Sequence, residues 1–258
     1  MRMYDLKSGL RFDKNHPMWP KKKDGSLYER PPKKLIDELV LQLVPSVTEV
    51  LAPAKGHKLV GWAFWKASQL AAEFIQTSPD FSSAEDLQEK AIAFIESERN
   101  KPADDGSDVH EILDGFIKTG TASEKDLPMC NAVWKMVFDE LGINILMDVE
   151  SEVPFATSII GMEFGGTRDV YKAGKCVLDF KTTDGPREPY ISECAQLVAY
   201  NDLDVESENY APLLANIYID RKTMLPYLVK KWSHEERLGG YDVFVSCYDL
   251  LRALGEIK

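Results

Sequence analysis

Residues 161–183 read GMEFGGTRDVYKAGKCVLDFKTT, a pattern that predicts a β-hairpin. Two strand-like runs flank the turn Lys172-Ala-Gly-Lys175, and the second run, residues 175–181, is strongly apolar at its centre. The pair Gly165-Gly166 in the first run indicates a bulge or the close approach of another chain segment. The hairpin therefore carries both the strand signal and, at Asp179, a charge inside an apolar strand.

Three charged residues of this hairpin are predicted to meet. Asp169 lies at the end of the first strand, and Asp179 and Lys181 are two positions apart on the second. Residues two apart on a strand point to the same face, and the connecting turn brings Asp169 beside them. Two carboxylates and one ammonium group would then meet at one edge of a sheet.

This set of groups suits the hydrolysis of phosphodiester bonds. Mg²⁺ prefers oxygen ligands, and two carboxylates leave coordination positions for water and phosphate oxygens. The metal lowers the pKa of a bound water and stabilises the charge that builds on phosphorus. A lysine can orient that water and offset the negative charge. The plain alternative is an Asp179–Lys181 ion pair on a solvated strand face.

The short Asp/Glu-x-Lys pattern is weak by itself, because it occurs four times in this chain. The other three copies begin at Asp5, Asp220 and Glu256, in a tail or in a probable turn. Only Asp179-Phe-Lys181 lies inside an apolar strand, where two charged residues are costly unless they are paired or bind metal. The strand context therefore selects this copy.

The rest of the chain predicts helices before the hairpin and a mixed pattern after it. Helices are predicted at 57–76, 83–97, 107–118, 127–141, 189–203 and 233–254, and strands at 144–156, 161–172, 175–181, 212–220 and 224–231. Residues 35–52 resemble a strand and a turn, with Ser46 as the cap of a short helix. The helix between the third and fourth strands is a crossover, which makes part of the sheet parallel. The expected fold class is α/β, bordering on α+β, with a central mixed β-sheet flanked by helices.

Charged residues are distributed unevenly along the chain, and the net charge limits the functions that are expected. Residues 1–34 hold ten Lys/Arg and four Asp/Glu, and this basic N-terminal arm either contacts DNA or is a solubilising tail. A helical N-terminal region (35–143) and a core (144–258) follow, and we expect these two to form one catalytic domain, 35–258. The net charge of −11 argues against a non-specific DNA coat protein more than against a nuclease, whose carboxylates must hold metal.

Apolar runs and cysteines constrain location and cofactors. No run approaches the roughly 20 apolar residues that span a bilayer, and the first residues lack the apolar core of a secretory signal. We therefore expect no membrane partner and a cytoplasmic location, in the host cytoplasm if the gene is viral. The cysteines Cys130, Cys176, Cys194 and Cys247 include no C-x-x-C pair, which argues against a zinc ribbon or an iron–sulfur cluster.

Polar residues before and after the hairpin complete a recognisable set. His110 follows Gly106 in the spacing Gly-x-x-x-His, and Gln196 and Tyr200 have the i, i+4 spacing that puts both on one helix face. By itself each is more often an ordinary structural residue. In order, Gly-x-x-x-His, Gly-Thr-x-Asp, Asp-x-Lys and Gln-x-x-x-Tyr resemble the PD-(D/E)XK nuclease superfamily. The closest branch is the RecB-like exonucleases of phages and mitochondria, and the likeness runs from about Pro45 to Tyr200.

The resemblance implies a restriction-endonuclease-like core with one or two Mg²⁺ or Mn²⁺ ions. Asp169 would be the principal metal ligand, and Asp179 with the backbone carbonyl of Phe180 would complete the metal site. Lys181 would position the attacking water, and His110 would bind metal from the helical side. The iron–sulfur cluster that some relatives carry is not expected.

Substrate contacts are implied by the same resemblance. Gln196 and Tyr200 would support the site or contact the substrate, and Thr182 and Thr183 would donate hydrogen bonds to a phosphate. Glu152 resembles a family position on the first strand of the core.

Three functions stay open at this point. The first is a DNA exonuclease that acts on single-stranded or flapped ends, with a recombination or single-strand-binding protein as a further partner. The second is an endonuclease with the same site, and the third is a non-cutting DNA-binding or recombination partner. Trp62, Phe64 and Trp65 of the helical region are candidates for base stacking, although core packing is the commoner role at helical spacing. The sequence predicts neither the polarity of digestion nor the oligomeric state.

Overall fold

The structure is a computed structural model that describes residues 3–29, 39, 41–54, 109–147, 149–203 and 213–257. The helices predicted at 57–76 and 83–97, together with Trp62, Phe64 and Trp65, lie outside the described residues. The described elements are β1 (Met3–Asp5), β2 (Leu43–Pro45), α1 (Val47–Val50), α2 (109–119), α3 (Leu127–Leu141), β3 (Glu150–Ile159), β4 (Met162–Lys172), β5 (Cys176–Thr183), α4 (Ile191–Tyr200), β6 (Leu213–Asp220), β7 (Leu225–Lys231) and α5 (His234–Ala253). None of the described helices has the length and apolar character that crossing a membrane requires.

A five-stranded mixed sheet with the order β3-β4-β5-β6-β7 lies at the centre. Its neighbouring strands are antiparallel, except that β5 and β6 run parallel. Helix α4 connects this parallel pair, as the sequence predicts, because parallel neighbours need a crossover. The expectation of a central mixed sheet flanked by helices is therefore confirmed.

Helices cover both faces of the sheet. On one face, α1, α4 and α5 pack around residues such as Val177 and Leu214. On the other face, α2 and α3 pack around residues such as Leu178 and Ile217. Neighbouring residues of one strand thus enter opposite cores, which explains why β5 and β6 are apolar along most of their length.

The beginning of the chain packs on the sheet. Strand β1 pairs antiparallel with β2, and Tyr4 is buried. A Cβ atom at Gly165 would lie 2.7 Å from the Cβ of Tyr4 and 2.7 Å from the carbonyl oxygen of Phe155. A Cβ at Gly166 would lie 2.7 Å from the ring of Tyr200. The paired glycines therefore mark the predicted close approach, because any side chain there would collide with its neighbours.

Local capping matches the sequence at one helix start. Ser46 precedes α1, and its side chain accepts a hydrogen bond from the N–H of Glu49, whose carboxylate accepts one from Ser46 in return. This capping box confirms the predicted cap.

The first core strand begins later than predicted, at Glu150 instead of residue 144. Ile143 and Ile145 are buried in the core beside α3, but they belong to the turn that connects α3 to β3. The apolar residues that suggest a strand therefore lie in a turn. Asn144 holds this turn, because its Oδ1 accepts from Trp134 Nε1 and from the backbone N–H two residues on, each at 3.1 Å. The prediction of a strand from residue 144 is therefore wrong.

Candidate metal centre

The site forms where β4 and β5 separate. Their ladder joins Val170–Lys172 to Cys176–Leu178. Beyond it, the N–H of Phe180 donates to Asp169 Oδ2 at 2.8 Å. The Asp169 carboxylate thus accepts the hydrogen bond that a backbone carbonyl of β4 would accept in a continued ladder. This carboxylate is almost fully buried and lies where the two strands separate.

Two further ligand candidates reach Asp169 from other elements. His110 on α2 places Nδ1 3.3 Å from Asp169 Oδ2. The register on both sides of Glu152 places that residue on β3 opposite Asp169. Glu152 has a φ of 51°, in the left-handed region that a residue with a side chain rarely adopts. Backbone strain of this kind is typical of functional sites, because the surroundings must stabilise it.

The geometry of this cluster fits one divalent ion. Ligand atoms of His110, Glu152 and Asp169 all lie within 4.8 Å of one another. Ligand atoms ~2.1 Å from a shared ion stand at most ~4.2 Å apart, so a cluster of this size is close to what one ion requires. Carboxylates suit Mg²⁺ and Mn²⁺, whereas an imidazole is a common ligand of Zn²⁺ and iron. The donor set therefore fits a divalent ion and does not select one metal.

Asp179 and Lys181 form the other half of the site, on the face of β5 that looks toward α4. Lys181 Nζ lies 2.6 Å from Asp179 Oδ2 and donates to Gln196 Oε1 at 2.9 Å. Gln196 Nε2 donates to Asp179 Oδ1 at 3.0 Å and to Tyr200 Oη at 2.9 Å. The helix face predicted for Gln196 and Tyr200 therefore meets the strand face predicted for Asp179 and Lys181.

Burial and neighbouring charges shift the titration of these groups. Burial, helped by the charge of Asp169, raises the pKa of Glu152 to about 7. Burial also raises the pKa of Asp179 to about 6, although Lys181 acts in the opposite direction. Burial alone would lower the pKa of His110, but the Asp169 carboxylate outweighs it and raises that pKa to about 9. In the metal-free protein near pH 7, protons bound to these side chains therefore supply the positive charge that a metal cation would otherwise bring to the site.

All of these residues line one open cavity of about 700 Å³. Arg11 from the N-terminal segment and Arg221 after β6 also reach its wall. The charged lining comprises five carboxylates and three Arg/Lys side chains in addition to His110: Glu111, Asp114, Glu152, Asp169, Asp179, Arg11, Lys181 and Arg221. In the metal-free protein near pH 7 these charges nearly balance, because protonated His110 is a fourth cation and Glu152, with a pKa of about 7, is partly protonated.

The two threonines after Lys181 differ in their surroundings. Thr182 lines the cavity. The hydroxyl of Thr183 is hydrogen bonded to the Gly185 carbonyl and to Tyr227 Oη, each at 2.9 Å. A phosphate contact by Thr182 or Thr183 stays a prediction.

The compact ligand cluster shares His110 and Asp169 with the predicted metal set but differs from it in the remaining members. Sequence reasoning groups His110 and Asp169 with Asp179 and the carbonyl of Phe180. The structure groups Glu152 with His110 and Asp169 instead, and it places Asp179 on β5, lining the same cavity. Metal ligation by Asp179 and by Phe180 stays a prediction.

Sequence reasoning missed Asn216. This residue is fully buried on β6, in register with Asp179, and its Nδ2 donates to Asp179 Oδ2 at 2.9 Å. The available signal is the lone amide in the apolar run Leu213–Ile219, because a buried amide needs a hydrogen-bond partner.

No family model matches the chain, and no curated protein matches its sequence. Membership of the PD-(D/E)XK superfamily therefore stays a prediction based on the motifs quoted above.

Proposed function

We propose that this chain is a metal-dependent deoxyribonuclease that hydrolyses phosphodiester bonds, acting as an exonuclease on single-stranded or flapped DNA ends. The observation that carries the proposal is the single cavity in which His110, Glu152, Asp169, Asp179 and Lys181 converge from α2, β3, β4 and β5. A structural ion pair needs two partners, whereas these five residues bring three carboxylates together with one ammonium and one imidazole. Such an arrangement is costly for the fold, and perturbed charges in a cavity favour a functional role.

The chain's own residues supply the parts that the reaction needs. His110, Glu152 and Asp169 would hold a divalent ion, with Asp179 as a further ligand candidate. Such an ion, when bound, supplies Lewis acidity and a lowered pKa for water. Lys181, fixed by its bonds to Asp179 and Gln196, presents an ammonium group that can orient the attacking water. The same ammonium offsets the negative charge that develops on the phosphate oxygens.

The topology supports the proposed restriction-endonuclease-like core. Three antiparallel strands are followed by a helix and a strand parallel to the third. The acidic residues lie on the second and third of these strands, as Asp169 and Asp179. This is the order that the motifs predict for such a core.

The exonuclease assignment rests on the RecB-like motif set and on the helical region that precedes the sheet. In the enzymes that these motifs resemble, such a region forms an arch over the DNA strand. Replication, recombination or repair in the cytoplasm, or in a host's cytoplasm if the gene is viral, would be the setting. A recombination or single-strand-binding protein would be a partner there.

Digestion of end-labelled linear DNA, with a closed single-stranded circle as control, tests the assignment in Mg²⁺ and in Mn²⁺. We expect the linear strand to be degraded and the circle to survive. Equal cutting of the circle would instead show an endonuclease with the same site. Strand binding without cutting of either substrate would support a non-cutting recombination partner. Strands labelled at the 5′ or the 3′ end report the polarity.

A further inference from the structure

Asn216 is the single amide in an otherwise apolar, buried strand. It has no exposed surface and stands directly opposite Asp179 on the parallel neighbour β5. Burying an amide costs free energy unless both its ends are hydrogen bonded. An aliphatic side chain of similar size would avoid that cost, so the presence of the amide calls for a reason beyond packing.

The orientation of this amide is fixed by chemistry. Trp232 Nε1 donates to Asn216 Oδ1 at 2.7 Å. An indole N–H can only donate, so the oxygen of the amide must face Trp232. The Nδ2 group therefore faces Asp179 Oδ2, at 2.9 Å. Without Trp232 Nε1 the buried amide oxygen would lose this donor, and the amide would be held from the Asp179 side alone.

The donors around Asp179 are distributed unequally between its two oxygens. Oδ2 receives Lys181 Nζ at 2.6 Å and Asn216 Nδ2 at 2.9 Å. Oδ1 receives Gln196 Nε2 at 3.0 Å. A carboxylate oxygen has two lone-pair positions, so Oδ2 is filled, whereas the described residues supply Oδ1 with one donor only. Among the donors that the described residues provide, Oδ1 is therefore the oxygen that retains a lone pair.

We propose that Asn216, oriented by Trp232, is a positioning residue that holds the Asp179 carboxylate so that Oδ1 is offered to the metal. The inference rests on the proposed function, because it assumes that Asp179 joins the divalent ion's ligands. Outer hydrogen-bond partners of metal ligands commonly set metal affinity about 10–100-fold. Asn216 and Trp232 contact no substrate in this role and act through Asp179 alone.

The chain offers a matched control for the Trp–Asn pair. Trp134 Nε1 donates to Asn144 Oδ1 at 3.1 Å, in the core on the other side of the sheet. Neither residue is among those that line the cavity. Trp134→Phe therefore removes the same kind of hydrogen bond without touching Asp179.

The test is Mn²⁺ binding to the full chain without nucleic acid, measured by electron paramagnetic resonance of free Mn²⁺. Trp232→Phe keeps an aromatic ring in the core, and Asn216→Leu replaces the amide with an aliphatic group of similar size. We expect Trp232→Phe to weaken Mn²⁺ binding by about tenfold or more, and Trp134→Phe to stay within about twofold of the wild type. The same order should appear in the Mg²⁺ concentration that gives half-maximal DNA cleavage, with an unchanged KM for DNA.

Several results would overturn the positioning role. Folded Trp232→Phe protein with wild-type Mn²⁺ affinity would reject it, and so would a folded Asn216→Leu protein with that affinity. Equal weakening in Trp134→Phe would show a general effect of lost stability and would also reject it. These outcomes are distinct from a failure of the proposed function, in which the wild type itself binds no Mn²⁺ or cuts no DNA.

Discussion

Asp169→Asn should lower the pKa of His110 in the metal-free protein from about 9 to its ordinary value of 6.5 or below. The asparagine keeps the shape of the side chain and an oxygen for the Phe180 N–H, which now bonds to Asp169 Oδ2 at 2.8 Å. The change removes the negative charge that lies 3.3 Å from His110 Nδ1. Burial, which favours the neutral imidazole, then dominates. A fall of this size corresponds to about 3 kcal/mol at ~1.4 kcal/mol per pKa unit.

The measurement is a proton NMR titration of the imidazole signals in the presence of EDTA. The chain has only four histidines, so His110→Gln identifies the signal of interest. Asp139→Asn, which removes an exposed carboxylate paired with Lys135, is the control and should leave the titration unchanged. A wild-type His110 that titrates near 6.5, or one that is insensitive to Asp169→Asn, would refute the proposed contact.

The same contact has a consequence for stability, whose sign follows from the direction of the shift. The pKa of His110 is higher in the folded state than the ordinary value of 6.5 that applies to an unfolded chain. Its contribution is therefore complete below pH 6.5 and is lost as the pH rises through 9. The difference in Tm between wild type and Asp169→Asn should shrink over this range.

Three further predictions concern the metal, the fold and the substrate. Isothermal titration should show that the affinity for a divalent ion rises about tenfold per pH unit between pH 7 and 9, because His110 must release its proton. Below pH 7 the affinity should change more steeply with pH, because Glu152 must also release a proton. A flat profile would contradict this ligand set. In urea unfolding, Gly165→Ala should destabilise the protein by about 3 kcal/mol, because its Cβ would lie 2.7 Å from neighbouring atoms. Gly115→Ala, in open space on α2, should instead stabilise it by about 0.5–1 kcal/mol, and equal effects would contradict the close approach at Gly165. A non-cleavable DNA strand should bind in Ca²⁺ and more weakly in EDTA, because a divalent ion held in the cavity offers coordination positions to phosphate oxygens. Equal binding in EDTA would contradict this role of the ion.

Local signals in the sequence are sufficient for several elements. The helix Leu127–Leu141 is predicted with both ends correct, because Pro128 marks its first turn and Gly142 ends it in the left-handed conformation, at φ 67°. The hairpin of β4 and β5 follows in the same way from its turn residues and its apolar runs. These signals concern neighbours in sequence, which a pattern can capture.

The start of β3 could not be predicted in this way. The run Ile143-Asn-Ile-Leu-Met147 has the apolar content of a strand, but its isoleucines enter the core beside α3. The choice between strand and turn depends on the pairing of Asn144 with Trp134, ten residues away. Tertiary contact thus outweighs local propensity at this point.

The site divides along the same line. Periodicity correctly brings Asp179 and Lys181 to one strand face and Gln196 to the helix face that meets it. The opening between β4 and β5 could not be foreseen, because there a side chain of Asp169 replaces a backbone acceptor. The left-handed backbone conformation of Glu152 could not be predicted either, because glutamate is not a residue type that favours it.

The N-terminal segment provides the longest-range example. Tyr4 Oη lies 3.0 Å from Thr167 Oγ1, across a sequence separation of 163 residues. Tyr4 and Arg11 both line the cavity, although composition alone indicates only a basic arm. The pattern of charge along the chain does not show that this segment packs against the sheet and lines the cavity.

The central claim is tested most directly by the rate of phosphodiester hydrolysis in Mg²⁺ or Mn²⁺ for the wild type, Lys181→Met and Lys135→Met. Lys135 forms an exposed ion pair with Asp139 on α3, away from the cavity lining, and serves as the matched control. We predict hydrolysis by the wild type that EDTA abolishes, a loss of about a hundredfold or more in folded Lys181→Met protein, and wild-type rates in Lys135→Met. Hydrolysis that persists in EDTA, or wild-type rates in Lys181→Met, would contradict this claim.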